Sequence, residues 1–399
     1  MGLNYYNVPN LRFSDKNVWQ RIKLNEYADF LQGLTYSPNN VCTTGRLVLR
    51  SSNIQNSKLA FDDNVYVNMN IPAKISTKEN DVLMCVRNGS KNLVGKTALI
   101  TKEFENLAWG AFMNIIRPKD GKTLLFHFLN SQYFKNQIKA DLNTATVNQI
   151  TIGTLNQCKI SIPLSEIEKD KLCIFFNLLD QRIDTQSKII EDLELFEKEI
   201  NNTIINKLVE YKDLVKFSSI YNFAKEGGTP NTSHPEYYTK GSIPFVKIDD
   251  LTTKYLVSNQ SFITKLGLEN SSAWLIPANS ILYSNGATIG AISINKYPVT
   301  TKQGILGIVP KSDYLSEYLY YFLRSNYFKK EICKITTQGT MKSAYIKDID
   351  NILVPRINKN QQNEILTLLS EITLKIQKEK DMLELYKKQK AYLLKNMFI

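Results

Sequence analysis

The spacing of apolar residues changes twice along the chain. Up to Pro163 they come in short runs such as Lys159-Ile-Ser-Ile-Pro163, punctuated by Gly, Asn and Pro, which is the texture of strands and turns. Beyond Pro163 lies a stretch without Gly or Pro. It places Leu172, Phe176, Leu179, Ile183, Ile190, Leu193, Ile200 and Ile204 at alternating steps of three and four, interrupted by Gln186 and Glu197. Strand-like texture returns at 214 and ends at Pro355. A second stretch without Gly or Pro then carries Ile365, Leu369, Ile372, Ile376, Leu383, Tyr386 and Leu393, interrupted by Glu379 and Lys390. Each stretch predicts a long helix. A sustained heptad seam needs a partner, and two seams in one chain can satisfy each other as an antiparallel coiled coil whose polar breaks help to set register. A helix of about 40 residues spans roughly 60 Å at 1.5 Å per residue, a length that suits a spacer.

The chain also repeats itself at a separation of roughly 190 residues, the first thing to test in a chain of this length. Leu129-Asn-Ser-Gln-Tyr133-Phe134-Lys135 recurs as Leu323-Arg-Ser-Asn-Tyr327-Phe328-Lys329. Lys159-Ile-Ser-Ile-Pro163 is echoed by Asn351-Ile-Leu-Val-Pro355, and Gln32-Gly33-Leu34-Thr35 by Gly227-Gly228-Thr229-Pro230. Gly45-Arg-Leu-Val-Leu-Arg-Ser-Ser-Asn-Ile54 parallels Gly241-Ser-Ile-Pro-Phe-Val-Lys-Ile-Asp-Asp-Leu251. Four matches in one order predict two copies of one domain. The expected organisation is a strand-rich domain over 1–163, a spacer helix over 164–213, a second strand-rich domain over 214–356 and a distal helix over 357–399. The fold class is α+β: two mixed domains in pseudo-twofold arrangement, joined by two long helices packed as an antiparallel coiled coil.

Charge follows the same divisions. The chain has 399 residues, with 50 Lys and Arg against 38 Asp and Glu, a formal charge of +12. Residues 1–163 hold +8, 164–213 hold −5, 214–356 hold +6 and 357–399 hold +3. Two basic modules around an acidic spacer fit a polyanion touched at two places and repelled between them. No run approaches the roughly 20 apolar residues of a membrane span, and the first ten residues lack the regions of a secretory signal. Tyr6 stands where a myristoylation signal needs Ser or Thr. The five cysteines (Cys42, Cys85, Cys158, Cys173, Cys333) match no zinc spacing and read as reduced thiols, mostly buried, in a cytoplasmic protein.

Residues for chemistry are scarce. There are two histidines. His127 lies in the helical run Leu124–Asn130 and reads as half-buried and satisfied; His234 reads as a loop residue. Neither begins a metal motif. The run Arg87-Asn-Gly-Ser-Lys-Asn-Leu-Val-Gly95-Lys96-Thr97 ends like a phosphate-binding loop, but five residues separate its glycines where the cradle needs four. Gly286-Ala-Thr-Ile-Gly290 is a lone GxxxG. The Asn/Asp-Pro-Pro-aromatic tetrapeptide of an amino-methyltransferase does not occur. No catalytic residue, metal site or cofactor is expected on this chain.

These residues resemble the specificity subunit of type I restriction–modification enzymes over essentially the whole chain. The likeness is strongest in the second half: Gly227-Gly-Thr-Pro230, Pro235-Glu-Tyr-Tyr238, the Gly241–Leu251 run, Ser284-Asn-Gly-Ala-Thr-Ile-Gly290 and Thr301-Lys-Gln-Gly304 look like that family's target-recognition domain. The first half departs, with Leu34-Thr-Tyr36 for Thr-Pro and Arg87-Asn-Gly-Ser-Lys91 for Ser-Asn-Gly-Ala-Thr. Such a difference is expected if each domain reads its own half-site. The resemblance implies double-stranded DNA, two methyltransferase subunits and restriction translocase subunits as partners. S-adenosylmethionine, ATP and Mg would then sit only on those partners, and no membrane is involved. It also implies a bipartite target with an unread gap set by helix length.

Duplex affinity comes largely from Lys and Arg on phosphates, and specificity from side chains on base edges. In the first domain the contact residues expected are Arg50, Ser52, Asn53, Arg87, Asn88, Ser90, Lys91 and Lys96. In the second they are Thr229, Lys247, Asp249, Asp250, Ser284, Asn285, Lys302 and Gln303, with Gln338, Thr340 and Lys342 from a late loop. Arg suits guanine O6/N7 and Asn suits adenine N6/N7, while an Asp fits as a cytosine N4 acceptor or as a local organiser. Asn-Gly and Asp-Asp are also ordinary turn chemistry. Tyr133, Phe134, Tyr327 and Phe328, on amphipathic helices, read as core. A different class of function, an architectural protein that bridges two duplexes without regard to sequence, fits the same charge. A self-sufficient nuclease or methyltransferase is disfavoured by the missing motifs.

Overall fold

The computed structural model describes residues 9–14, 18–144, 148–286, 288–336 and 343–398. The chain forms two compact units, Met1–Ser187 with Asp381–Ile399, and Lys188–Lys380. Both long helices are divided between the units, so the units part inside the helices and not at their ends.

In the first unit Trp19–Lys23 pairs antiparallel with Lys159–Pro163, closing the domain just before the central helix. An antiparallel sheet runs in the order Ala28–Gln32, Met113–Pro118, Val82–Cys85, Thr97–Leu99. A second sheet has the order Ala108–Trp109, Arg46–Leu49, Tyr66–Val67, Val41–Cys42, with its first two strands parallel. The run Val82-Leu-Met-Cys-Val86 is apolar throughout because both faces of its sheet are covered. Val82, Met84 and Val86 meet the core beneath the helices, whereas Leu83 and Cys85 meet the core beneath the second sheet.

The second unit repeats this plan. Leu214–Lys216 pairs with Leu353–Pro355. A sheet runs Tyr221–Glu226, Ile305–Pro310, Ile281–Ser284, Ile292–Asn295, Tyr255–Leu256, and a smaller one Phe262–Ile263, Ile243–Val246, Thr300–Thr301. Ile243–Val246 and Thr300–Thr301 are parallel, as are Arg46–Leu49 and Ala108–Trp109 in the first unit. The helix pair Leu124–Asn130 and Gln132–Thr144 has its counterpart in Ser316–Arg324 and Asn326–Ile335. The serine shared by the two repeats explains this. Ser131 Oγ accepts the Phe134 N–H at 3.2 Å and Ser325 Oγ accepts the Phe328 N–H at 3.2 Å, so each buried serine caps the second helix of its pair. Phe134 and Phe328 are fully buried. Tyr133 and Tyr327 are half-buried with occupied hydroxyls, one accepting from Arg21 and the other donating to the Leu353 carbonyl at 3.0 Å.

The long helices are Glu166–Tyr211 and Lys359–Met397. Their pairing is antiparallel in each unit, because partners rise in number on one helix as they fall on the other. In the first unit Asp180 binds Lys390, and Arg182 donates to the Tyr386 hydroxyl at 2.7 Å with its guanidinium 4.1 Å from the ring centre. In the second, Glu194 meets Lys380 at 2.6 Å and Thr373 donates to Glu197 at 2.5 Å. Leu172, Phe176, Ile190, Leu369 and Ile376 are buried, and Leu179, Ile183, Leu193, Ile365, Ile372, Leu383 and Tyr386 half-buried. Two of the polar interruptions find partners across the seam, Lys390 with Asp180 and Glu197 with Thr373, while Glu379 meets Lys375 on its own helix.

Candidate nucleic-acid interface

In both units the strand of the smaller parallel pair ends in the same turn. Arg50 N–H donates to Asn53 Oδ1 at 2.9 Å, and Lys247 N–H donates to Asp250 Oδ2 at 2.8 Å. A basic residue therefore opens each turn and an Asn or Asp three residues later closes it. A close approach behind the turn requires glycine. A Cβ on Gly33 would lie 2.1 Å from the Gly110 carbonyl oxygen, and one on Gly227 2.2 Å from that of Thr301.

Around the first turn, Asn88 Nδ2 donates to Ser51 Oγ at 3.1 Å and ties the Arg87–Lys91 loop to the Arg50–Asn53 turn. Ser90 N–H donates to Asn88 Oδ1 at 2.9 Å. Arg87, Ser90, Lys91 and Lys96 are exposed, and Ser52 and Asn88 half-buried. Arg50 is half-buried with its guanidinium on Asp63 at 2.8 Å.

Around the second turn, Lys302 N–H donates to the Val246 carbonyl at 2.9 Å, which sets Lys302 beside Lys247. Gln303 N–H donates to Thr229 Oγ1 at 3.3 Å. Lys247, Asp249, Lys302 and Gln303 are exposed, Thr229 and Asp250 half-buried. Each unit thus brings the sequence-distant loops onto one rim.

Three of the expected contact residues are internal instead. Asn53 is fully buried, and its amide donates to the Ala60 carbonyl at 2.9 Å and to Asn64 Oδ1 at 3.2 Å. Ser284 is buried with its hydroxyl on the Thr288 carbonyl, and buried Asn285 donates to the Ala344 carbonyl at 3.1 Å. Their buried side chains hold loops together and are not displayed to a base. Asp250 takes the organiser role. Gln338, Thr340 and Lys342 lie outside the described residues. His127 is not half-buried but fully buried, with Nε2 3.0 Å from Asn177 Oδ1.

The rim also holds residues that the sequence reading passed over. Phe112 is exposed, with the Arg87 guanidinium 5.2 Å from its ring centre, and Asn148 donates to the Gly89 carbonyl at 3.0 Å. Among the described residues no group of three or more His, Cys, Asp or Glu is placed to hold a metal ion, and no helix is long and apolar enough to cross a membrane. The rims offer cations, amides and an aromatic ring, which is chemistry for binding a polyanion and reading its edges.

A duplicated α+β domain, each copy closed by a two-stranded ribbon and followed by a long helix, is the architectural class. Residues 17–210 and 206–385 each match the type I restriction modification DNA specificity domain, and the chain belongs to that family. It is 31% identical over 210 residues to the type I restriction enzyme MjaIX specificity subunit of Methanocaldococcus jannaschii. That alignment covers 51% of this chain and 48% of the relative, so the chain spans about half the length of the curated relative it matches. In fold it is similar to a chain of a type I R-M system solved for its complex assembly and conformational transition, with a TM-score of 0.62 and 16% identity, covering 96% of this chain and 98% of that one. It is also similar to the type I restriction–modification S subunit of M. genitalium, with a TM-score of 0.51 and 15% identity over 98% and 99% of the two chains.

Proposed function

We propose that this chain is the sequence-specific DNA-binding subunit of a type I restriction–modification complex, that each domain reads one half of a bipartite target, and that the chain itself catalyses nothing. The observation that carries the reading is the duplicated rim. One backbone turn recurs at Arg50–Asn53 and Lys247–Asp250, while the side chains displayed around it differ between the domains. A shared scaffold with unlike contact residues suits two half-sites of unlike sequence. The contact residues are then Arg50, Ser52, Arg87, Asn88, Ser90, Lys91 and Lys96 in the first domain, and Lys247, Asp249, Lys302, Gln303 and Thr229 in the second.

On this reading the partners are double-stranded DNA, two methyltransferase subunits and the restriction translocase subunits, all in the cytoplasm. S-adenosylmethionine, ATP and Mg belong to those subunits. The test is to purify the tagged full chain from its host and ask whether an Asn-Pro-Pro-aromatic methyltransferase comes with it, then to map methylated adenines with the pair expressed in a clean host. A single interrupted motif is the expected result. Binding that follows salt and ignores sequence, with no methyltransferase partner, supports the architectural bridging function instead.

A further inference from the structure

Phe112 stands in the exposed turn Gly110–Met113, between the packed ends Trp109 and Met113, and is itself 56% exposed. Its backbone is fixed: the Phe112 carbonyl accepts the N–H groups of Val86 at 3.0 Å and Arg87 at 3.2 Å. The ring is thereby held on the rim beside Arg87, whose loop Asn88 ties to Ser51.

The second domain shows that the fold does not need this ring. Met113 stands opposite Cys85 as Ile305 stands opposite Ser284, which makes Gly304 the counterpart of Phe112 and Gly286 the counterpart of Arg87, two residues from the Ser284 with which the sequence alone aligns Arg87. The hydrogen bond agrees, since the Gly304 carbonyl accepts the Asn285 N–H at 3.0 Å. There the two glycines are pressed together, a Cβ on Gly286 lying 3.2 Å from Gly304 Cα. The same loop is therefore built with bare backbone in one domain and with an Arg–Phe pair in the other. An apolar ring at the edge of a polar, cationic rim matches the one apolar feature of the major groove, the C5-methyl group of thymine.

We propose that Phe112 is a specificity-determining residue of the first domain, packing its ring on the C5-methyl of a thymine in the half-site that this domain reads and steadying Arg87 over the adjacent base. The inference rests on the DNA-reading function proposed above. Its test uses the full chain assembled with its methyltransferase subunits and duplexes carrying the mapped motif, in which each thymine of the half-site is replaced in turn by deoxyuridine. One replacement is expected to weaken wild-type binding about fourfold, the worth of one buried methyl. Phe112→Ala should show at least that loss on unmodified DNA and no further loss on that deoxyuridine duplex, with the other half-site read as before. Phe112→Leu should keep part of the sensitivity.

Wild-type binding indifferent to every replacement, a half-site without thymine on either strand, or a Phe112→Ala complex still sensitive to deoxyuridine would each overturn it. So would a clear fall in the melting temperature of Phe112→Ala, which would make the ring structural. If the wild-type complex shows no sequence preference at all, the DNA-reading function fails as well, and that control separates the two failures.

Discussion

Asp81 holds Arg117 with both carboxylate oxygens, one on Nε and one on Nη2, each at 2.7 Å, and Asp81 is fully buried. The bonds from Asp81 push the Arg117 pKa upward. The pair clamps Val82–Cys85 to Met113–Pro118 at the end of these strands away from Arg87 and Phe112. Asp81→Ala leaves a partly buried guanidinium without its partner and is expected to lower stability by about 3 kcal/mol. Asp81→Asn, which keeps an acceptor, should cost less. Thermal unfolding of the two variants checks the order, and equal melting temperatures would refute it.

His127 is packed against Phe176, with ring centres 5.0 Å apart, and its Nδ1 lies 3.7 Å from Asp180. Burial pushes its pKa down to about 3, the nearby Lys390 charge pushes the same way, and the Asn177 hydrogen bond opposes both. The unfolded chain takes a proton near 6.5 while the folded one does not until about 3. The stability due to neutral His127 is therefore complete above about pH 6.5 and is lost as pH falls toward 3, by up to ~1.4 kcal/mol per pH unit. Asp180 acts in the opposite direction, since burial raises its pKa. Comparing wild type with His127→Gln isolates the histidine: the stability gap between them should narrow from pH 7.5 to 5. A constant gap would show that His127 takes up its proton alike in the folded and unfolded chains.

How far the molecule can be read in advance depends on whether a residue's role is local. The seam through Leu172, Phe176 and Ile190 is legible because helix period acts over three or four residues. Asn53, Ser284 and Asn285 are not. An amide or hydroxyl beside a turn serves a base edge or a backbone carbonyl equally well, and only burial from distant segments such as Ala60 and Ala344 decides. Phe112 is hidden for a related reason. Ala108-Trp-Gly-Ala-Phe-Met113 reads as one apolar run, but Trp109 pairs parallel with Leu49 while Met113 pairs antiparallel with Cys85. The change of sheet between them turns the chain outward and leaves the ring on the rim.

Lys247 and Lys302 are exposed side by side through the Lys302–Val246 hydrogen bond, and ammonium groups suit phosphates better than base edges. Lys247→Ala and Lys302→Ala should each weaken binding to all sequences alike and each reduce the slope of log affinity against log salt by about 1. Gln303→Ala should leave the salt slope unchanged and relax one base position of the second domain's half-site by ~1–3 kcal/mol. Titrations at several salt concentrations on matched and mismatched duplexes distinguish the roles, and a changed motif with Lys302→Ala at constant salt slope would reverse this assignment.

The helix pair is the ruler for the gap between half-sites on the proposed function. The two compact units part at Ser187/Lys188 on the central helix and at Lys380/Asp381 on the distal one. Seven residues inserted at both places add two turns to each helix, keep the three-four seam in register and lengthen the pair by about 10.5 Å. At ~3.4 Å per base pair this is about three base pairs of DNA. Methylome sequencing of the variant complex should find both half-sites unchanged and the gap longer by about three. A four-residue insertion in the central helix alone should move Leu193 and Ile200 out of register with the distal helix, lower the melting temperature and reduce methylation. An unchanged gap in the double insertion would mean that the spacing is set elsewhere.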